Sequence, residues 1–134
     1  MKIYIAGPLF DDKAKIILEK IDKLCKELGL DTFLPYRDAG RFEKGDSKPF
    51  FKRDRDEIDK CQAMIAYLDW KGISSGTAWE IGYAHAKGIP IIGFAEDLDT
   101  AGKFDRLCVM CFNSVDLVDS LEKLKKRLED MKKD

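Results

Sequence analysis

Ala63-Met64-Ile65-Ala66-Tyr67-Leu68 is an almost unbroken apolar run. Its length is that of a strand, and its composition is that of a strand covered on both faces, as strands in parallel sheets are. It therefore marks the centre of a sheet. Toward the N-terminus, residues 2–6 form a similar strand that ends at Gly7-Pro8, a pair that stops strand and helix alike. Between the two, Ile16, Ile17, Ile21, Leu24 and Leu28 recur at spacings of three and four among Lys and Glu, which predicts an amphipathic helix over Asp12–Leu28 closed by Gly29. A short strand is expected at Asp31–Pro35, an aperiodic charged loop carrying Gly40 and Gly45 over Tyr36–Ser47, and a helix over Phe50–Cys61. Toward the C-terminus the pattern predicts a loop (Asp69–Gly76), a helix (Thr77–Lys87) ended by Gly88, and a buried strand (Pro90–Ala95). A polar stretch (Glu96–Lys103), a short helix (Phe104–Phe112), a last strand (Val115–Val118) and a terminal helix striped by Leu121, Leu124, Leu128 and Met131 complete the chain. Strands alternating with helices predict a doubly wound α/β fold, flavodoxin-like or Rossmann-like. The expectation is a three-layer sandwich around a five-stranded parallel sheet of order 2-1-3-4-5.

Bulk properties narrow the function classes. With 134 residues, 45% of them hydrophobic, the chain supports one domain, expected over residues 1–134. Its 24 basic and 25 acidic residues leave a net charge of −1, and no free-standing basic cluster offers a footprint for a nucleic-acid backbone. The apolar runs are too short to span a membrane, and no secretion signal or lipid anchor is read at Met1-Lys2. Cys25, Cys61, Cys108 and Cys111 lie in apolar or helical contexts, as reduced thiols do in a cytoplasmic protein. Cys108-Val109-Met110-Cys111 has half the spacing of a zinc site but no second ligand pair, and the one histidine, His85, falls in another helix. No metal or organic cofactor is expected.

In doubly wound sheets, ligands bind beyond the carboxyl ends of the strands where the winding reverses, here after Ala6 and Leu68. Tyr4 and Gly7, the segment Asp69–Thr77, and Glu80 in the first turn of the next helix converge there, joined by Asp54 from the helix that feeds strand three. Two carboxylates at one pocket suit glycosidic chemistry, one attacking the anomeric carbon while the other protonates the departing group. Like charges in a shared pocket would let Asp54 stay protonated while a helix N-terminus keeps Glu80 ionised. Each residue also has a structural reading. Thr77-Ala78-Trp79-Glu80 matches a capping box, in which Glu80 satisfies the Thr77 amide and its loss would cost about 1 kcal/mol. Asp54 lies in a charge-rich run, Tyr4 and Trp79 suit core packing, and Ser74-Ser75-Gly76 suits any tight strand-to-helix turn as well as an anion cradle.

Ile3-Tyr4-Ile5-Ala6-Gly7-Pro8-Leu9-Phe10 and Ser75-Gly76-Thr77-Ala78-Trp79-Glu80-Ile81-Gly82-Tyr83-Ala84 resemble the nucleoside 2-deoxyribosyltransferase family in content, order and separation. The resemblance extends more loosely over nearly the whole chain, including Arg53-Asp54 and Asp69. It implies that Glu80 is the nucleophile of a covalent deoxyribosyl intermediate, Asp54 the acid/base group and Tyr4 the residue that orients the nucleophile. It places Gly7, Phe10, Asp69, Ser74, Gly76, Asn113 and Ser114 at the substrate. It also implies a homo-oligomer with shared pockets, completed from the segment Cys111-Phe112-Asn113-Ser114 of a neighbouring subunit. The partners implied are a small deoxynucleoside or deoxynucleotide and a nucleobase.

One position departs from the transferase pattern. Six residues before the nucleophile those enzymes carry an aspartate that contacts the base, whereas this chain has Ser74, which resembles the related 2′-deoxynucleoside 5′-monophosphate N-hydrolases. Against the hydrolase stands the acidic loop Pro8-Leu9-Phe10-Asp11-Asp12, which would repel a dianionic phosphate. Transfer of the sugar to another nucleobase is the first expectation, hydrolysis of the monophosphate the second, and a non-catalytic nucleotide-binding domain the third.

Overall fold

The computed structural model describes residues 1–8, 11–68, 73–96 and 108–133. Five strands, β1 (Lys2–Ala6), β2 (Asp31–Phe33), β3 (Ala63–Tyr67), β4 (Ile91–Phe94) and β5 (Asp116–Val118), form one sheet in the order β2-β1-β3-β4-β5, every pair parallel. The helices are α1 (Asp12–Glu27), α2 (Pro35–Asp38), α3 (Lys48–Lys60), α4 (Ser75–Ala86), α5 (Val109–Asn113) and α6 (Leu121–Lys133). The expected architecture and strand order are those observed.

Strand alternation divides the core into two halves. Ile3 and Ile5 of β1, with Ile65 of β3 and Phe94 of β4, pack under the apolar stripes of α1 and α6. Tyr4 and Ala6, with Met64 and Ala66, face the opposite layer, where α3, α4 and α5 contribute Ile58, Ile81 and Phe112. The chain leaves β1 through α1 to reach β2, then crosses back through α3 to reach β3 on the other side of β1. Helices on opposite faces thus diverge at the carboxyl ends of β1 and β3 and leave a crevice between them.

Local chemistry sets the element boundaries. Asp11 caps α1, its carboxylate accepting from the Lys13 amide at 3.0 Å, and Gly29 ends the turn after it with φ of 77°. Gly93 lies in buried β4, where a glycine costs strand stability. An added Cβ would stand 2.6 Å from Cγ2 of Val115 and 2.9 Å from Cδ1 of Leu68, so the close approach demands it. A buried polar knot ties α1 to β2 and α2: Asp22 accepts from Thr32 Oγ1 at 2.5 Å and from Arg37 Nη1 at 2.8 Å.

The structure moves several expected boundaries. β2 ends at Phe33 rather than Pro35. Pro35 begins α2, which occupies the first part of the expected Tyr36–Ser47 loop, and Asp38 Oδ2 accepts from the Leu34 amide at 2.9 Å to close that turn. α3 begins at Lys48 with Pro49 in its first turn, and α4 begins at Ser75 rather than Thr77. Of the expected helix Phe104–Phe112, the described part is α5, and residues 104–107 lie outside the described residues. Among the described residues, no helix is long and apolar enough to cross a membrane. Cys25, Cys61 and Cys111 are buried free thiols, while Cys108 is only half-buried and its Sγ accepts from the Cys111 amide.

Candidate active site

The crevice beside the carboxyl ends of β1 and β3 is a cleft of about 550 Å³. Its lining comprises Gly7 after β1, Pro35 of α2, Phe51, Asp54, Arg55 and Ile58 of α3, and Ser74, Ser75, Gly76, Thr77, Trp79 and Glu80 at the start of α4. Five expected site residues, Gly7, Asp54, Ser74, Gly76 and Glu80, therefore come together here. Gly7 also has a packing reason, because an added Cβ would lie 2.8 Å from Cδ2 of Leu18. Tyr4 lies beneath the cleft, fully buried in β1, stacked on Phe33 with ring centroids 5.5 Å apart, and its hydroxyl donates to Glu80 Oε2. The alternation of β1 makes this contact, since residue 4 faces α4 whereas Ile3 and Ile5 face away.

The capping-box reading of Glu80 does not hold. The cap of α4 is Ser74: its Oγ accepts from the Thr77 amide at 3.2 Å and lies 2.6 Å from the Thr77 hydroxyl. With the helix starting at Ser75, Glu80 falls in the second turn rather than the first, and it hydrogen-bonds to Tyr4, not to a backbone amide. Ser74→Ala is therefore expected to lower stability by about 1 kcal/mol, whereas Ser74→Asp retains the cap; urea denaturation of both variants checks this.

The electrostatics follow from burial. Protein atoms pack densely around the Glu80 carboxyl even though part of the side chain opens to the cleft, and this desolvation raises its pKa to about 7. The Tyr4 hydrogen bond opposes the rise and the Asp54 charge adds to it. Desolvation likewise raises Asp54 to about 6, opposed by the charge of Arg53. Among the described residues, Asp54 Oδ1 is buried without a hydrogen-bond partner, a costly arrangement for a carboxyl. Tyr4 is displaced far upward, by burial first and then by the Glu80 charge, so its hydroxyl remains a donor. Burial thus pushes both carboxyls up, Glu80 included, where a helix N-terminus was expected to keep it ionised. The helix field fades within the first turn, and burial outweighs it in the second.

Among the described residues no group of three or more His, Cys, Asp or Glu side chains stands close enough to hold a metal ion. Of the other expected contacts, the structure describes two, and neither stands in the cleft. Asn113 and Ser114 do not line it; their side chains donate to the carbonyls of Val109 at 2.8 Å and Met110 at 2.5 Å and close the end of α5. Phe10 and Asp69 lie outside the described residues. Phe51, Arg55, Ile58 and Pro35 are cleft residues that sequence reading passed over. A signal existed for Phe51 and Ile58, which stand three before and four after Asp54 on the same helix. Trp79, expected in the core, is 47% exposed and forms a wall of the cleft.

A family model for nucleoside 2-deoxyribosyltransferase matches residues 3–130, nearly the whole chain and all of the cleft. The chain belongs to the nucleoside 2-deoxyribosyltransferase family. An uncharacterized protein of Schizosaccharomyces pombe is 30% identical over 105 residues, covering 71% of this chain and 50% of that protein, so the chain spans about half the length of the curated relative it matches. A 2-deoxyribosyltransferase from Leishmania mexicana has 26% sequence identity and a TM-score of 0.67, covering 91% of this chain and 92% of its own. The CMP N-glycosidase BcmB of Clostridium botulinum shares the fold at 20% identity and a TM-score of 0.62, covering 96% and 98% of the two chains. The deoxyribosyltransferase family thus includes this chain on both sequence and fold.

Proposed function

We propose that this protein is a nucleoside 2-deoxyribosyltransferase, which cleaves the N-glycosidic bond of a 2′-deoxynucleoside and passes the sugar to another nucleobase. The observation that carries the reading is the buried Tyr4 hydroxyl holding Glu80 at a cleft that also contains Asp54, whose buried Oδ1 has no hydrogen-bond partner among the described residues. Glu80 attacks C1′; the C1′–N bond breaks, its electron pair goes to the base, and the base takes the proton of Asp54. The sugar is left as an ester on Glu80. A second base then gives a proton to Asp54 and attacks C1′, Glu80 is released, and two inversions restore the original configuration. The missing 2′-hydroxyl makes the oxocarbenium-like transition state easier to reach. Gly7, Ser74 and Gly76 contribute the lining on the sugar side. The segment Cys111–Ser114 completes the pocket of a second copy, a reading supported by the exposure of Val109 and Met110 on α5.

The hydrolase reading rests on Ser74. In this cleft the Ser74 hydroxyl is engaged by the Thr77 amide and hydroxyl as a helix cap, which supports transfer as the first reading. The deciding experiment incubates the protein with deoxyinosine plus adenine and, separately, with each deoxynucleoside 5′-monophosphate. Formation of deoxyadenosine is the expected result. Free base with deoxyribose 5-phosphate would point to the hydrolase, and absence of turnover in every mixture would overturn both.

Tyr4→Phe gives a finer check. The hydroxyl stabilises ionised Glu80, so its removal raises the Glu80 pKa above about 7. A smaller fraction of molecules then carries an ionised nucleophile beside a protonated Asp54. The expected outcome is a pH–rate profile whose alkaline limb moves upward and whose maximum falls.

A further inference from the structure

Arg55 is the one basic residue lining the cleft among the described residues, and the structure engages it only lightly. Its Nε and Nη2 both point at a single oxygen, Asp56 Oδ1, at 3.3 and 3.1 Å, in a pair whose two side chains are 36% and 41% exposed. Such a surface pair holds little free energy and yields readily to a ligand. Nη1 makes no hydrogen bond among the described residues.

What surrounds the guanidinium is aromatic. It lies 5.4 Å from the centroid of Phe51, which meets Trp79 edge to face at 5.4 Å. Trp79 stacks on Tyr83 at 5.2 Å and 10°, and the Tyr83 hydroxyl donates to Asp59 of α3 at 2.8 Å. This ladder fixes a wall of the cleft whose leading members, Phe51 and Trp79, are about half exposed. Two large rings left open to solvent at a cleft mouth lose apolar burial, a cost recovered when a planar ligand covers them.

The position of Asp54 says which part of a deoxynucleoside reaches this wall. The group that protonates the departing base must lie beside the base, and Phe51 and Arg55, one helical turn apart on α3, flank Asp54 in sequence. The sugar lies toward Glu80, the group that attacks C1′. We propose that Phe51, Trp79 and Arg55 form the nucleobase subsite: the base lies against the two rings, and Arg55 donates a hydrogen bond to a keto oxygen on its edge. This deepens the transferase reading and rests on it for the presence of a base in the cleft. An arginine has donors only, so a 6-oxopurine offers it an acceptor where a 6-aminopurine presents a donor. Bases bearing a keto oxygen at that edge are therefore the favoured substrates and acceptors. Arg55 also steadies negative charge on that oxygen as the glycosidic bond breaks.

The test is calorimetric binding of free hypoxanthine and free adenine to the wild type, Arg55→Ala, Arg55→Lys and Glu80→Gln. The wild type is expected to bind hypoxanthine at least about tenfold more tightly than adenine, the scale of a charge-assisted hydrogen bond left unmade. Arg55→Ala binds the two equally, Arg55→Lys is intermediate, and Glu80→Gln keeps the preference. Equal binding of both bases by the wild type, or a preference that survives in Arg55→Ala, overturns the proposal. So does an Arg55→Ala variant that keeps the preference for hypoxanthine but loses affinity for inorganic phosphate, which would make the residue an anion site. Because binding is read without turnover, Arg55-dependent discrimination in a protein that transfers no deoxyribose would sink the transferase reading and leave the base subsite standing.

Discussion

Glu80→Gln is expected to abolish turnover, by at least about 10³-fold, and to make the protein more stable at alkaline pH. The loss follows because glutamine has no anionic oxygen to attack C1′, while its amide oxygen still accepts from Tyr4 and keeps the cleft in place. The gain follows from linkage. Glu80 ionises near 4.5 when unperturbed and near 7 in the fold. Between those values the unfolded chain binds fewer protons than the folded one, so unfolding becomes easier as pH rises. The destabilisation is absent below about pH 4.5 and complete above about pH 7, where a displacement of this size corresponds to roughly 2–3 kcal/mol, with allowance for water in the cleft. Glutamine carries no charge to desolvate and escapes it. Urea denaturation of both proteins at pH 4.5 and pH 8 reads this directly: near-equal stability at the lower pH and a more stable variant at the higher. A variant no more stable than the wild type at pH 8 would count against the burial of Glu80 as a strained functional group.

Asp54→Asn is expected to lower turnover of deoxynucleosides by about 10²–10⁴-fold, the usual contribution of a positioned proton donor. The more telling change is in the pH dependence. In the wild type the active form requires ionised Glu80 beside protonated Asp54, and the pair titrates near 6 and near 7, so the rate peaks between those values and falls on both sides. Asparagine has no proton to lose, and the alkaline limb disappears. The residual rate rises as Glu80 ionises, slightly below pH 7 because the Asp54 charge no longer raises the Glu80 pKa, and then stays flat. Persistence of both limbs in Asp54→Asn would assign the proton to another group. A base nitrogen over Asp54 accepts a hydrogen bond only from the protonated carboxyl, so the bound base holds the proton on Asp54 for its own departure.

Much of this was legible in the chain itself. Ala63–Leu68 and residues 2–6 announced buried parallel strands, and the three-and-four spacing of Ile16, Ile17, Ile21 and Leu24 announced the covering helix. These patterns repeat over many residues, so no single neighbour decides them, and the strand order 2-1-3-4-5 followed from connection handedness. Gly7, Asp54, Ser74, Gly76 and Glu80 stand together in the cleft at the edge where the winding reverses. What the chain did not carry were quantities that depend on one boundary or one contact. A helix start two residues earlier than expected moved the cap from Thr77 to Ser74 and Glu80 from the first turn to the second. The field of a helix terminus decays over that distance, whereas desolvation depends on how many protein atoms surround a group. Such atoms come from β1, α3 and α4 at once, segments distant in sequence. The sequence alone thus determined the sheet, its order and the edge where chemistry would gather. Only the tertiary structure decided that Glu80 bonds to Tyr4, that burial raises both carboxyls, and that Arg55 and two open aromatic rings share their cleft.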